Sequence, residues 1–148
     1  DARLWLPGAR EPGREGYIAE MENEAKTLGI ADAVAFTAAT SRIAEAYAAS
    51  DLVLQLSGKP EAFGRTVIEA LSVGCPVLGW AHGGVGELLK ELQPQGAVPA
   101  FDEAMLASTA RALLMHPPSP LATMPYTLRA MQEATLALYQ ELAHDRCR

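Results

Sequence analysis

The most informative stretch of the chain reads SGKPEAFGRTVIEAL over residues 57–71. It follows the apolar run Leu52–Leu56 and leads into a segment with helical spacing. Pro60 and Gly64 keep the intervening residues in a loop, so the helix is predicted to begin at residues 65–66. A loop between a buried strand and a helix lies at the carboxyl end of a parallel sheet, where open α/β folds bind their ligands.

Two acidic side chains in and after this loop could bind the hydroxyl groups of a ligand. Glu61 lies in the loop and Glu69 about one turn inside the helix, so both carboxylates can face one ligand at the helix N-terminus. That N-terminus favours an anion such as a diphosphate. Carboxylates accept hydrogen bonds from the hydroxyls of a sugar or a ribose. Spacing alone leaves the ordinary interpretation open, in which both glutamates and Arg65 are exposed surface residues and Thr66 caps the helix.

Outward from this stretch, short β-forming runs alternate with longer segments of helical spacing. The predicted strands are Leu4–Leu6, Val34–Phe36, Leu52–Leu56, Val77–Trp80 and a short edge strand within Gly96–Pro99. The predicted helices between them are Tyr17–Leu28, Arg42–Ala49, Thr66–Val73 and Val85–Leu89. This alternation predicts an α/β fold, a Rossmann-like parallel sheet with helices on both faces. The nearly unbroken apolar runs 52–56 and 77–80 predict strands that are buried on both faces.

The end of the chain changes character. A helix capped by Asp102 is predicted over Asp102–Met115, a proline-rich break follows, and a long helix then runs from about Tyr126 to Ala143. The apolar stripe of the long helix consists of Leu128, Met131, Thr135, Leu138 and Leu142. Helical periodicity favours a stripe that docks on the core of the same domain. The alternative is a helix that crosses to another domain.

Length and charge exclude several classes of protein. The chain has 148 residues, 12 basic and 18 acidic, a formal net charge of −6 that argues against nucleic-acid binding. A single domain over residues 1–148 is expected, without a membrane span. The chain starts at Asp1 rather than Met, so it is expected to be a piece of a larger protein. Cys75 and Cys147 make neither a disulfide framework nor a zinc site, and Cys75 is expected to be a small buried residue. No cluster of metal-ligating carboxylates is visible, so no metal or other cofactor is expected.

An extended motif supports a more specific interpretation. Glu61 and Glu69 are separated by seven residues in PEAFGRTVIEALSVGCPV, residues 60–77. This segment closely resembles the E-x7-E signature of the retaining nucleotide-sugar glycosyltransferases of family 4, the group 1 glycosyltransferases. The resemblance includes the preceding strand, ASDLVLQLS at residues 49–57, and HGGVGE at residues 82–87. It covers nearly the whole chain from Leu4 onward.

The resemblance implies the GT-B fold, in which two Rossmann-like domains enclose the active site. This chain resembles the C-terminal domain, which binds a nucleotide-diphospho-sugar, while an N-terminal domain binds the acceptor saccharide or lipid-linked acceptor. The implied activity is transfer of the sugar with retention of anomeric configuration, in a bacterial polysaccharide or lipopolysaccharide pathway. The implied location is cytoplasmic, with association at the inner membrane surface left open. The full-length parent is expected to be a glycosyltransferase, and the 148-residue chain alone to be inactive.

Residue roles follow from the same resemblance. Glu61 would hold the donor-sugar hydroxyls next to the reacting carbon and act as the catalytic residue, and Glu69 would hold the ribose. The backbone of residues 63–66, which are Phe63, Gly64, Arg65 and Thr66, would face the sugar and the diphosphate. In the first part of the chain, Thr37 would lie near the base and Gly8 would let the backbone approach the nucleotide. The closing helix would cross onto the N-terminal domain.

The chain also departs from the family pattern. Members usually carry an Arg and a Lys that grip the diphosphate, on a strand–helix unit before the segment that matches Leu4; Arg3, Lys26 and Lys59 do not match them. The absent strand is the central one of the 3-2-1-4-5-6 order, so a gap is predicted between Leu4–Leu6 and Leu52–Leu56. We expect the native protein to supply that strand upstream of Asp1. Gly86 stands where the family has a proline and is expected to loosen that turn.

Other functions remain open at this point. The main alternative is a noncatalytic Rossmann-like nucleotide-binding or interaction module, which the missing Arg and Lys favour and the two retained glutamates disfavour. A nucleotide-sugar epimerase on the same fold is a further option. A receiver-type signalling domain is disfavoured because Asp51 begins its strand instead of following one.

Overall fold

The computed structural model describes the backbone of residues 2–145 and the side chains of residues 2–144, so Asp1 and Cys147 lie outside it. The five strands of this part are β1 (Leu4–Pro7), β2 (Val34–Thr37), β3 (Val53–Gln55), β4 (Val77–Trp80) and β5 (Ala97–Val98). The six α-helices are α1 (Glu15–Thr27), α2 (Ile43–Ala48), α3 (Arg65–Ser72), α4 (Gly83–Leu92), α5 (Glu103–Met115) and α6 (Leu128–Asp145). Every strand and helix predicted from the sequence is therefore present, with bounds that differ by a few residues.

The chain folds as two compact units, Asp1–Ile43 and Ala44–Arg148. In the first unit, β1 and β2 are parallel, with Leu4 opposite Val34. In the second unit, β3, β4 and β5 form a parallel sheet in that order. The expectation that residues 1–148 form a single nucleotide-sugar-binding domain stays a prediction.

Strand β4 shows why the second unit has helices on both faces of its sheet. Its side chains alternate between two cores. Val77 packs with α3 and α4, and Leu78 and Trp80 pack with Leu113 of α5. All four residues of β4 are buried, as its unbroken apolar run predicts. The α/β class and the parallel, Rossmann-like arrangement are thereby confirmed.

The pairing of the strands contains the predicted break. β1 pairs with β2 and β3 pairs with β4, and no pairing within residues 2–145 joins β1 to β3. Each of these two strands therefore keeps one edge whose backbone groups lack a strand partner in this part of the chain. The upstream origin of a strand for this gap remains an expectation.

Strand β3 differs from the prediction for its run. Leu54 is 41% exposed, so β3 is not buried on both faces. Leu54 lies opposite Leu78 in the sheet, on the face that α5 covers. Leu52 and Leu56, on the same face, pack against this core while only partly buried, and Leu54 between them does not pack against it. An apolar run thus identified the strand correctly and overstated its burial.

The long C-terminal helix is confirmed, but its predicted docking is wrong. Leu128, Met131, Leu138 and Leu142 are all more than half exposed, at 68%, 59%, 54% and 53%. The stripe therefore does not pack on the core of this chain. Periodicity shows that a helix has an apolar face, but it carries no information about which surface covers that face. The alternative, a helix that crosses to another domain, stays a prediction.

Two buried groups stabilise the start of β4. Gln93 is 4% exposed, and its amide both accepts from the Val77 N–H (2.9 Å) and donates to the Val77 carbonyl (2.8 Å). Cys75, just before the strand, is buried as predicted. Burial, with a smaller contribution from Asp51, raises the pKa of the Cys75 thiol. A raised pKa keeps this thiol protonated and makes it a poor nucleophile.

Candidate functional site

The backbone of Glu61 is held by the N-terminus of α4. The Gly84 N–H donates to the Glu61 carbonyl at 2.8 Å. A Cβ built on Gly84 would lie 2.5 Å from the Phe63 carbonyl oxygen, and one built on Gly83 would lie 2.6 Å from the Glu61 carbonyl oxygen. The glycine pair therefore lets α4 press directly against the loop that carries Glu61. A few residues on, a Cβ on Gly86 would lie 2.5 Å from the Ala81 carbonyl carbon, so this position leaves no room for a side chain, and the expectation of a loosened turn stays a prediction.

Replacing Gly84 with alanine should therefore displace the Glu61 loop. We expect the variant to lose about 1–3 kcal/mol of stability, because its Cβ meets backbone atoms that cannot rotate away. Thermal unfolding followed by circular dichroism measures the loss. The matched control is Gly16→Ala, since Gly16 is also the second residue of its helix but has no atom within 4 Å of an added Cβ. Equal melting temperatures for Gly84→Ala and Gly16→Ala would contradict the prediction.

The side chain of Glu61 has a neutral partner. Gln55, the last residue of β3, donates from Nε2 to Glu61 Oε1 at 2.6 Å. The other end of the same amide accepts from the Ser57 N–H at 3.2 Å. Ser57 is held in turn by His82, whose Nε2 lies 3.1 Å from the Ser57 carbonyl oxygen. Glu61 is half-buried and held through both its backbone and its carboxylate.

Gly64 sets the start of α3. It is buried and has a φ of +88°, in the left-handed region that favours glycine, and α3 begins at Arg65 as predicted. A Cβ on Gly64 would lie 3.1 Å from Val85. The helix has no side-chain cap, so the interpretation of Thr66 as a cap is wrong; Thr66 is the second residue of the helix. At the start of α3, the Val67 N–H donates a hydrogen bond to the Gly64 carbonyl (3.0 Å). The N–H groups of residues 65 and 66 thus precede it and are available to an anion.

Glu69 has charged and polar partners. The Arg65 guanidinium forms an ion pair with Glu69 Oε1 at 2.8 Å. The Tyr47 hydroxyl lies 3.4 Å from Glu69 Oε2 and donates to it. Burial raises the pKa of Tyr47, with smaller contributions from the Glu69 carboxylate, which outweigh the lowering by Thr66 and Arg65. Tyr47 therefore stays protonated near neutral pH and remains a donor.

Phe63 projects from the same loop. Its side chain is 51% exposed, and its ring meets that of Tyr126 edge-on with centroids 6.4 Å apart. The Tyr126 hydroxyl donates to Glu91 Oε2 at 2.6 Å. An aromatic side chain held in this way presents apolar surface beside the Glu61 loop.

Two predicted site residues lie in the first unit. Gly8 follows β1 with a φ of +80°, so this position favours glycine for conformational reasons alone. Thr37 ends β2, and its hydroxyl accepts from Trp5 Nε1 at 2.8 Å. The structure brings Glu61, Glu69 and residues 63–66 together on one loop and helix of the second unit. The nucleotide-binding roles of Gly8 and Thr37 stay predictions.

Two residues of this site, Gln55 and Tyr47, were not predicted from the sequence. Gln55 is the single polar residue of the apolar run 52–56, and that irregularity was the available signal. Tyr47 carries no comparable signal, because an aromatic residue in a short amphipathic helix is ordinarily core. In the described part of the chain, no three His, Cys, Asp or Glu side chains cluster as a metal would require. None of the helices in residues 2–145 is both long and apolar enough to cross a membrane.

The fold and this site together define a class of protein. A Rossmann-like parallel sheet carries, at the carboxyl end of β3, a loop with Glu61 and a helix with Glu69, which is the edge where open α/β folds bind their ligands. The family model described as glycosyl transferases group 1 matches residues 8–127. The chain belongs to this family, as the resemblance predicted.

Relatives agree with this membership. N-acetyl-alpha-D-glucosaminyl L-malate synthase of Bacillus anthracis is 42% identical over 65 residues, which are 44% of this chain and 17% of that enzyme. Anabaena HepE, whose structure was determined with UDP-glucose, is 28% identical over 76% of this chain and 31% of its own, with a TM-score of 0.68. WaaG, a glycosyltransferase involved in lipopolysaccharide biosynthesis, is 26% identical over 78% of this chain and 30% of its own, with a TM-score of 0.64. The matched parts cover 17–31% of the length of these three proteins, so this chain corresponds to only a part of each.

Proposed function

We propose that this chain is the donor-binding part of a retaining glycosyltransferase that uses a nucleotide-diphospho-sugar. The observation that carries the proposal is the position of Glu61 in the loop before α3 and of Glu69 within α3, in a chain of the group 1 family. The likeness to HepE, a protein solved with UDP-glucose, supports a nucleotide-sugar as the ligand class. The acceptor would bind to a part of the parent protein outside these residues.

Each group in the site has a task in this proposal. Glu61 accepts hydrogen bonds from the donor-sugar hydroxyls beside the reacting carbon, and Glu69 accepts from the two ribose hydroxyls. The N-terminus of α3 faces the diphosphate, where the N–H groups of residues 65 and 66 stabilise the leaving anion. The Glu61 carboxylate favours positive charge on the oxocarbenium-like sugar. Since the helix supplies this stabilisation, we propose that transfer needs no metal.

The proposal extends to the stereochemistry of the transfer, its pathway and its location in the cell. Retention of configuration and a role in polysaccharide or lipopolysaccharide synthesis are supported by the family signature and by the likeness to WaaG. A cytoplasmic location, with association at the inner membrane surface, fits a donor that is made in the cytoplasm. The exposed stripe of α6 is the surface with which the helix would contact an acceptor-binding domain.

The test is ligand-observed saturation-transfer NMR on the full natural protein. The panel is UDP-glucose, GDP-mannose and ADP-glucose, with CMP-sialic acid as a donor that has only one phosphate, each with Mg²⁺ and with EDTA. Glu69→Ala removes a predicted ligand group, and Glu103→Gln, in the first turn of α5, is the control. We expect one donor to bind in both buffers, to be lost in Glu69→Ala and to be retained in Glu103→Gln.

Two results would count against the proposal. Binding that disappears in EDTA would contradict the metal-free part of it. Failure of the full natural protein to bind any donor would overturn the whole proposal and favour a noncatalytic interaction module.

A further inference from the structure

Gln55 lies on the face of the sheet that carries the site. Val53, two residues earlier in β3, packs against the core formed with α3 and α4, and side chains alternate along a strand. Gln55 therefore points to the same face, at the carboxyl end of the strand and opposite Gly79. It is half-buried at the base of the loop that carries Glu61.

The orientation of the Gln55 amide is fixed by its two partners. The Ser57 N–H can only donate, so the atom that faces it must be the amide oxygen, Oε1. The amide nitrogen is then the atom that faces Glu61 Oε1, at 2.6 Å. Ser57 is itself held at its carbonyl by His82 and through its hydroxyl, which donates to the Lys59 carbonyl (2.9 Å). The amide thus joins a constrained loop residue to the carboxylate.

The two carboxylates of the site are held in chemically different ways. Glu69 is paired with the Arg65 guanidinium, which compensates its charge. Glu61 is held by a neutral amide, which orients the carboxylate without compensating its charge. A carboxylate beside a carbon that develops positive charge stabilises the transition state only if its own charge is retained. The difference suits the two tasks, since a ribose develops no charge during the reaction.

We propose that Gln55 is the positioning residue for Glu61, so that it sets the affinity of the site for the sugar part of the donor and leaves the nucleotide part unaffected. The inference rests on the proposed function, because it assigns Glu61 to the donor sugar. Gln55 acts through Glu61 and contacts no reacting atom, so it is not a catalytic residue.

Two substitutions separate this role from a structural one. Gln55→Met keeps the length of the side chain and removes both hydrogen bonds. Gln55→Glu keeps an oxygen that accepts from the Ser57 N–H, but it replaces the donor to Glu61 with a second carboxylate, which repels the first. If Gln55 only braced the loop through Ser57, Gln55→Glu would resemble the wild type. If it positions Glu61, Gln55→Glu is the more impaired of the two.

The measurement is isothermal titration calorimetry on the full natural protein with each donor and its own nucleoside diphosphate, for example UDP-glucose and UDP. We expect Gln55→Met to weaken donor binding about tenfold and Gln55→Glu to weaken it further, with nucleoside diphosphate binding unchanged in both. Equal losses for donor and nucleoside diphosphate, or wild-type donor binding by Gln55→Glu, would overturn the inference. A wild-type protein that binds no nucleoside diphosphate is a different result, which overturns the proposed function and this inference with it.

Discussion

Replacing Gln93 with leucine is expected to lower the free energy of unfolding of the second unit by roughly 2–5 kcal/mol, because each buried group left unpaired costs about 1–3 kcal/mol. Gln93 is buried, and its amide pairs with both the N–H and the carbonyl of Val77, a residue with no exposed surface. Leucine has a similar volume but no polar atoms, so both backbone groups of Val77 would stay buried without a partner.

The strand pairing of β4 explains why the Gln93 side chain, and not a neighbouring strand, pairs with Val77. In a parallel sheet, the N–H and carbonyl of one residue face the same neighbouring strand. β5 pairs with β4 only from Gly79 onward, where Gly79 lies opposite Ala97. The amide of Gln93 therefore takes the place of a strand neighbour for Val77. Gly96 also lies against this amide and the Val77 carbonyl, so the arrangement needs a glycine there as well.

Thermal denaturation followed by tryptophan fluorescence measures the loss. A Trp5→Phe background leaves the buried Trp80 as the reporter of the second unit. The matched control is Gln95→Leu, the same substitution two residues along at an exposed position. We expect the melting temperature of Gln93→Leu to fall by roughly 5–15 °C and that of Gln95→Leu to change little. Similar stabilities of the two variants would show that the Val77 groups find water or another partner.

The parts of the fold that could be predicted are those set by local chemistry. The run Val77–Trp80 is apolar at every position except Gly79, and it forms a strand that is buried on both faces. Gly64 and Pro60 placed the start of α3 at Arg65, since glycine supplies the positive φ that ends the loop. Glu61 lies in the loop before that helix and Glu69 within the helix, as their positions in the sequence predict. Each of these depends on residues close together in sequence.

The parts that could not be predicted depend on distant partners. Gln93 follows α4 and is a residue type that is usually exposed. It is buried here because its amide pairs with the backbone of Val77, 16 positions earlier. Tyr47 reaches Glu69 across 22 positions. The exposed stripe of α6 shows the converse, since periodicity identifies an apolar face without identifying its cover.

Replacing Glu69 with alanine is expected to weaken binding of a nucleoside diphosphate by about 100-fold or more, since hydrogen bonds to a charged group contribute about 1.5–3 kcal/mol each and the ribose offers two hydroxyls. Stability should hardly change. Arg65 is 81% exposed in its ion pair with Glu69, and such surface pairs contribute only about 0.3–0.5 kcal/mol. Glu69→Ala should therefore lower the affinity for the ligand without lowering the stability of the protein. A substitution in the core would lower the stability as well.

Titration calorimetry of the full natural protein with nucleoside diphosphates checks the loss, and Glu61→Gln provides the contrast. Because Glu61 is assigned to the sugar, Glu61→Gln should weaken binding of the nucleotide-sugar and leave that of the nucleoside diphosphate unchanged. Glu69→Ala should weaken both. Arg65→Met tests whether the guanidinium contacts the ligand or only holds Glu69 in place. If it only holds Glu69, Arg65→Met should weaken nucleoside diphosphate binding less than Glu69→Ala does. It should then cause no further loss of binding when it is added to Glu69→Ala. Equal effects of Glu61→Gln and Glu69→Ala on the nucleoside diphosphate would contradict the division of roles, since the two carboxylates have separate partners and lie on separate parts of the loop and helix.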